Sequence, residues 1–152
     1  MQALAEPERK GTDVSDQTEH RATCACGQLS VTAVGEPDVV TACNCLECQR
    51  RTGSPFGVGA YYRKDRVVSI EGRSSSYERT AAEGRKLRNQ FCPDCGTSVF
   101  WSLDMRPDHY GIAVGCFSDP GFIRPTRVVW AENRHHWVAF PDDMPVFDQA
   151  AT

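Results

Sequence analysis

Short apolar alternations dominate this chain. Leu29, Val31 and Ala33 alternate with polar neighbours, the period of a half-buried strand. Gly35-Glu36-Pro37 makes a turn, and residues 39–42 begin a second strand. Residues 56–62 predict another, in which Gly57 and Gly59 mark a close backbone approach or a bulge. Residues 66–70, 75–80, 86–91, 98–102, 110–114 and 128–130 complete a set of about nine short strands. The intervening CNCLECQRRTGSP, residues 43–55, reads as loop or a short helical turn. With no helix of convincing length, no internal repeat and no second domain, the expected class is mainly β.

Residues 1–20 are polar, acidic and aperiodic, so they read as a flexible tail, and 149–152 as a short C-terminal one. The folded stretch lies between them, at 21–148. The first 20 residues hold five acids and two bases, which accounts for the whole formal charge of -3. The remainder is neutral but uneven. Residues 49–90 carry ten Arg and Lys against four acids, and 91–152 carry four against eight. A neutral domain argues against nucleic acid as partner, and the basic middle is either an anion site or a solvated face. No apolar run reaches the roughly 18 residues of a membrane span, and the first residues lack the apolar segment of a signal peptide. The expected setting is therefore cytoplasmic and reducing, with no membrane partner.

That setting changes the reading of the eight cysteines. Seven fall in C-x-C or C-x-x-C spacings, which chelate a metal better than they staple a fold. Cys24-Ala25-Cys26 and Cys92-Pro93-Asp94-Cys95 are two bidentate pairs, each followed by a glycine that lets the backbone turn around an ion. Together they make a closed tetrathiolate, the structural form of zinc site. Cys43, Cys45 and Cys48 remain: three thiols and one vacant position, the form of a catalytic or substrate-binding zinc. The spacing also permits a second structural site completed by Cys116, His109, His135 or His136. It permits a redox-active thiol cluster, a binuclear cluster of all seven thiols, or an iron–sulfur centre as well. Arg50 and Arg51 follow the trio, where guanidinium forks could hold carboxylates, and Gly53-Ser54 offers backbone N–H groups and a hydroxyl. Trp101, Trp130, Trp137 and Phe100 read as core, Cys116 as a small buried hydrophobe, and His135-His136 as neighbours on a strand facing opposite sides.

Cys24-Ala25-Cys26-Gly27, then CNCLECQRRTGSPFG at 43–57 and QFCPDCGTSVF at 90–100, resemble the glutathione-dependent formaldehyde-activating enzyme family. That family includes the relatives of centromere protein V. GCFSDP at 115–120 and the closing Trp137, Pro145 and Phe147 fit the same pattern, so the resemblance spans residues 21–148. It implies small antiparallel sheets around zinc, the Mss4-like or β-tent fold. It implies two zinc ions per chain, a structural one on Cys24, Cys26, Cys92 and Cys95 and a catalytic one on Cys43, Cys45 and Cys48. The implied activity is that of a carbon–sulfur lyase joining glutathione and formaldehyde reversibly as S-hydroxymethylglutathione. The alternatives are a non-catalytic thiol-binding zinc protein and a structural interaction module. The chain departs from the family pattern at Asn44, where members often carry His, at Val128-Val129-Trp130, where they often carry His-Ile before the aromatic residue, and at Cys116, where a small hydroxyl residue is common. All three bear on the substrate rather than on the metal ligands.

Overall fold

The computed structural model describes residues 17–81 and 84–151. Ten strands form two sheets. The smaller is antiparallel, in the order β1 (Glu19–Thr23), β2 (Ser30–Val34), β5 (Val67–Glu71). The larger has seven strands in the order β10 (Arg127–Val129), β3 (Val39–Cys43), β4 (Gly57–Arg63), β9 (His109–Ala113), β8 (Ser98–Leu103), β7 (Lys86–Phe91), β6 (Ser75–Thr80). Its pairings are antiparallel except β10 with β3, which is parallel. One helix, α1 (Leu46–Thr52), interrupts the strands. The mainly β class expected from the alternation is the class observed.

Strand periodicity sorts the large sheet into two faces. Val40, Ala60, Tyr62, Phe100 and Ile112 point toward the small sheet and pack with Ala22, Leu29, Val31 and Ala33 in the main core. The Tyr62 hydroxyl, inside that core, donates to the Gly35 carbonyl at 3.1 Å. A second cluster joins Ala42 and Val128 to Met144, with Phe56 and Phe140 at its margin. The other face carries Thr41 and Cys43, Gly57, Gly59 and Tyr61, Trp101, and Asn89; it is the floor of the site described below.

Several expectations change. β1 begins at Glu19, so the last residues of the supposed N-terminal tail belong to the small sheet; residues 1–16 lie outside the described ones. Only Ala22 of β1 is fully buried, which is why the strand has no visible apolar period. The supposed C-terminal tail is tied down as well: Trp130 N–H donates to the Gln149 carbonyl at 3.0 Å, and Ala150 and Ala151 line the site. The last strand ends at Val129, and Trp130 takes a left-handed conformation, φ 55, that leaves the sheet. His135 and His136 lie in a turn rather than a strand. Trp137 is 64 % exposed and not core. Gly57 and Gly59 do mark close approaches, to Arg51 and to the Trp101 ring.

Candidate metal centres and the adjoining cavity

The turn after β1 and the knuckle between β7 and β8 bring Cys24, Cys26, Cys92 and Cys95 together. Cys24 and Cys26 sulfurs lie 3.6 Å apart, and Cys26 and Cys92 3.7 Å apart. Ligands on a tetrahedron with zinc–sulfur bonds of about 2.3 Å stand about 3.8 Å apart, so the four thiols fit such an ion. N–H donors already support the sulfurs. Leu29 N–H points to Cys24 Sγ at 3.2 Å, and the Gln28 amide donates to Cys92 Sγ at 2.9 Å. The same Gln28 side chain donates to the Arg73 carbonyl and accepts from Arg73 N–H. Gln28 thereby ties the cluster to the end of β5, a role no local sequence pattern announces. Gly72 is required there, because a Cβ would overlap the Gln28 carbonyl.

The second cluster is Cys43, Cys45 and Cys48, whose sulfurs also lie within 4.8 Å of one another. Cys43 closes β3, Cys45 caps α1 with its sulfur toward Cys48 N–H at 3.4 Å, and Cys48 stands in the first helical turn. All three are half-buried. Among the described residues no other cysteine, histidine or carboxylate joins them. Of the four suggested fourth ligands, His136 is not in the group and the other three are engaged elsewhere. His109 bonds Asp38 at 2.7 Å, His135 bonds Gln49 at 2.9 Å, and Cys116 points to the Ser98 carbonyl. Burial pushes the Cys116 thiol up to about 11, as befits a small hydrophobe. The two clusters are separate groups, so one binuclear cluster of seven thiols is not what the fold builds.

Without a cation the trio shares protons unevenly. Hydrogen bonds from Cys43 and Cys48 hold Cys45 down at about 2, and the bond to Cys45 pushes Cys43 up. One thiolate held by two thiols is the arrangement a divalent cation replaces with three thiolates. The loop that presents them is clamped by Gln49, whose amide donates to the carbonyls of Asn44 and Asn133 and whose oxygen accepts from His135 Nε2. Asn44, buried between two of the cysteines, donates from its side chain and its backbone to the Val129 carbonyl. It fastens the trio to β10.

The trio opens onto a cavity of about 950 Å³ over the free face of the large sheet. Trp101 lies flat across its floor, seated on Gly59 and Gly111. Cations and rings alternate along it. Arg51 stands 4.4 Å over Trp101, Trp101 meets Tyr61 edge-on, and Arg106 stands 5.7 Å over Tyr61. Six arginines line the cavity, at 50, 51, 79, 85, 106 and 127, and Glu47 is the one carboxylate among the lining residues. Arg79, on β6, is close enough to Cys45 to favour its thiolate, so the sheet curls round to face the trio. The predicted Arg50 and Arg51 do line the cavity. Gly53 and Ser54 do not: Gly53 is the left-handed cap of α1, φ 65, and Ser54 N–H binds Thr52 Oγ1 at the exposed end of the helix. Arg79, Arg106 and Arg127 were not singled out in the sequence. The uneven charge of residues 49–90 was the one hint, and only for the first of them.

A profile of the family described as glutathione-dependent formaldehyde-activating enzyme matches residues 19–133. A solved structure of a Rhodobacter sphaeroides protein is 21% identical, aligns over 69% of this chain and 91% of its own, and gives a TM-score of 0.49. No curated protein matches the chain. No helix among the described residues is long and apolar enough to cross a membrane.

Proposed function

The chain belongs to the glutathione-dependent formaldehyde-activating enzyme family, and on that footing we propose a zinc-dependent carbon–sulfur lyase. It joins a carboxylate-bearing thiol such as glutathione reversibly to a small aldehyde. One observation carries the reading: three thiols with no fourth protein donor among the described residues face a large arginine-lined cavity. Zinc fits both clusters by donor type and spacing. When bound at Cys43, Cys45 and Cys48 it supplies a centre that keeps a ligand's sulfur ionised at neutral pH, below the usual thiol value of about 8.5.

The chain's own residues do the rest. Gln49 and Asn44 hold the three sulfurs on one loop. Trp101 forms a flat floor, met edge-on by Tyr61, that fixes the ligand's orientation, and the arginines attract its carboxylates. Burial raises the Tyr61 phenol, which therefore stays protonated and offers an O–H beside the trio. In the joining direction a sulfur–carbon bond forms, and the carbonyl oxygen takes up the proton that the thiol has lost. In the reverse direction that bond breaks and the proton returns to sulfur.

Exchange NMR on glutathione and formaldehyde tests this with protein carrying two zinc ions by native mass spectrometry. The expected result is faster exchange between free thiol and hydroxymethyl adduct, lost in Cys45→Ser. Glutathione binding with no acceleration would refute the enzyme and leave a thiol-binding zinc protein.

A further inference from the structure

Two arginines reach the cavity from different elements, close enough for their charges to act on each other. Arg127 comes from β10, where it stands opposite Thr41, and its Nε donates to Thr41 Oγ1 at 3.1 Å. Arg106 comes from the hairpin between β8 and β9. That loop is tied by Arg106 N–H to the Leu103 carbonyl and by His109 N–H to the Arg106 carbonyl. Its guanidinium rests over Tyr61. Both side chains are half-buried. Burial, then the charge of Arg106, makes the Arg127 cation less favourable than usual.

Like charges brought together out of water are unfavourable unless an anion completes them. Most other arginines of the fold have one: Arg21, Arg50, Arg63, Arg73, Arg88 and Arg124 each reach a carboxylate. Among the described residues neither Arg106 nor Arg127 does. Their location is the second half of the argument. Thr41, which Arg127 touches, precedes Cys43 by two residues on the same face of β3, and two strand residues span about 6.6 Å. Arg127 therefore stands about one thiol's length from the open metal position, with Arg106, over Tyr61, beyond it. The arginines next to the trio in sequence are engaged already. Arg50 is 69 % exposed and salt-bridged to Glu47, and Arg51 is stacked on Trp101.

We propose that Arg106 and Arg127 form a carboxylate subsite for the thiol ligand, and that this pair, not Arg50 and Arg51, reads the ligand's charge. The inference rests on the reading that a thiol occupies the open metal position. Two guanidinium groups flanking one carboxylate give the paired, charge-assisted hydrogen bonds that an ammonium cannot reproduce. The ligand class is a thiol with a carboxylate a few bonds from its sulfur.

Calorimetric titration of the zinc-loaded protein separates the possibilities. The probes are glutathione, its diethyl ester, 2-mercaptoethanol and 4′-phosphopantetheine. Arg106→Met and Arg127→Met should each weaken glutathione by about 10- to 100-fold, the scale of one lost charged hydrogen bond. The ester and 2-mercaptoethanol should be unaffected. Arg127→Lys should recover only part of the loss, and Arg124→Met, which removes a surface charge paired with Asp143, should lose nothing. Because Arg127 also holds Thr41, Arg106→Met provides a second reading free of that bond. Equal losses for glutathione and its ester would overturn the subsite. A larger loss for 4′-phosphopantetheine than for glutathione would assign the pair to phosphate and overturn the carboxylate. If 2-mercaptoethanol fails to bind the wild type, the thiol reading itself fails, and the subsite with it.

Discussion

The Trp101 floor exists because two neighbouring strands carry glycine beneath it. A Cβ on Gly59 would lie 2.5 Å from the ring's Cζ2, and one on Gly111 would lie closer still to Nε1 and Cε2. Neither glycine has a positive φ, so alanine is acceptable to the backbone and only the ring objects. Overpacking of this kind costs about 1–3 kcal/mol. The stiffer unfolded chain of alanine returns about 0.4–1 kcal/mol. Gly111→Ala should therefore destabilise the fold by about 1–2 kcal/mol, the difference between those two effects. Gly59→Ala should cost less, because it meets the ring's outer edge. The displaced ring also loses Arg51, a cation–π contact of about 0.5–2 kcal/mol depending on solvent access, so ligand affinity falls as well. Urea unfolding followed by tryptophan emission measures both the midpoint and the ring's surroundings. Gly115→Ala serves as the control, since its Cβ would meet nothing within 4 Å. If Gly111→Ala matched the wild type in midpoint and emission, the ring would not rest on the strand and the floor as described would be wrong.

The two cysteine clusters should fail differently. Cys92 is fully buried beside the main core, so Cys92→Ser should abolish or strongly weaken folding, whereas Cys45→Ser should leave a folded protein that has lost thiol binding; equal melting losses in the two variants would make the trio structural. Asn89 is 6 % exposed on the cavity floor and its Oδ1 has no partner among the described residues. Asn89→Leu should thus stabilise the unliganded protein by about 1–3 kcal/mol in thermal unfolding, the cost of a buried orphan acceptor, and a lower melting temperature would show that oxygen to be satisfied.

The metal partition was legible in the sequence because chelation is partly local. A C-x-C or C-x-x-C pair is already bidentate, and only the joining of Cys24 and Cys26 to Cys92 and Cys95 needed the fold. The strands were legible where one face was apolar, as in Leu29, Val31 and Ala33. β1 was not, because its residues Glu19, His20 and Arg21 are polar, lie at the edge of a sheet and leave Ala22 as the one buried position. Gln28 and Gln49 were invisible for another reason. Gln28 makes three hydrogen bonds and Gln49 two to groups distant in sequence, and a lone glutamine carries no period or spacing that would announce them. The tryptophans divided three ways, to floor, to site margin and to solvent, because hydrophobicity alone does not say which side of a sheet a ring covers.

The charge of residues 49–90 shows how pleating converts composition into a site. Counted along the chain, the segment is simply basic. On the paired strands β6 and β7 the charges separate by parity. Glu78 stands opposite Arg88 and is also bridged by Lys86, all on the outer face, where the carboxylate offsets one of the two cations. Arg79, one residue on, stands opposite Leu87 and turns to the inner face, toward Cys45. The excess positive charge is thus spent inward as well as outward. Three thiolates on a divalent cation leave one negative charge, and a fourth thiolate leaves two, before any carboxylate arrives. A neutral or acidic cavity would repel such a ligand at the moment of binding. An arginine lining drawn from α1, β6, the β8–β9 hairpin and β10 removes that repulsion. That distribution explains how a chain with net negative charge can build a positively charged cavity.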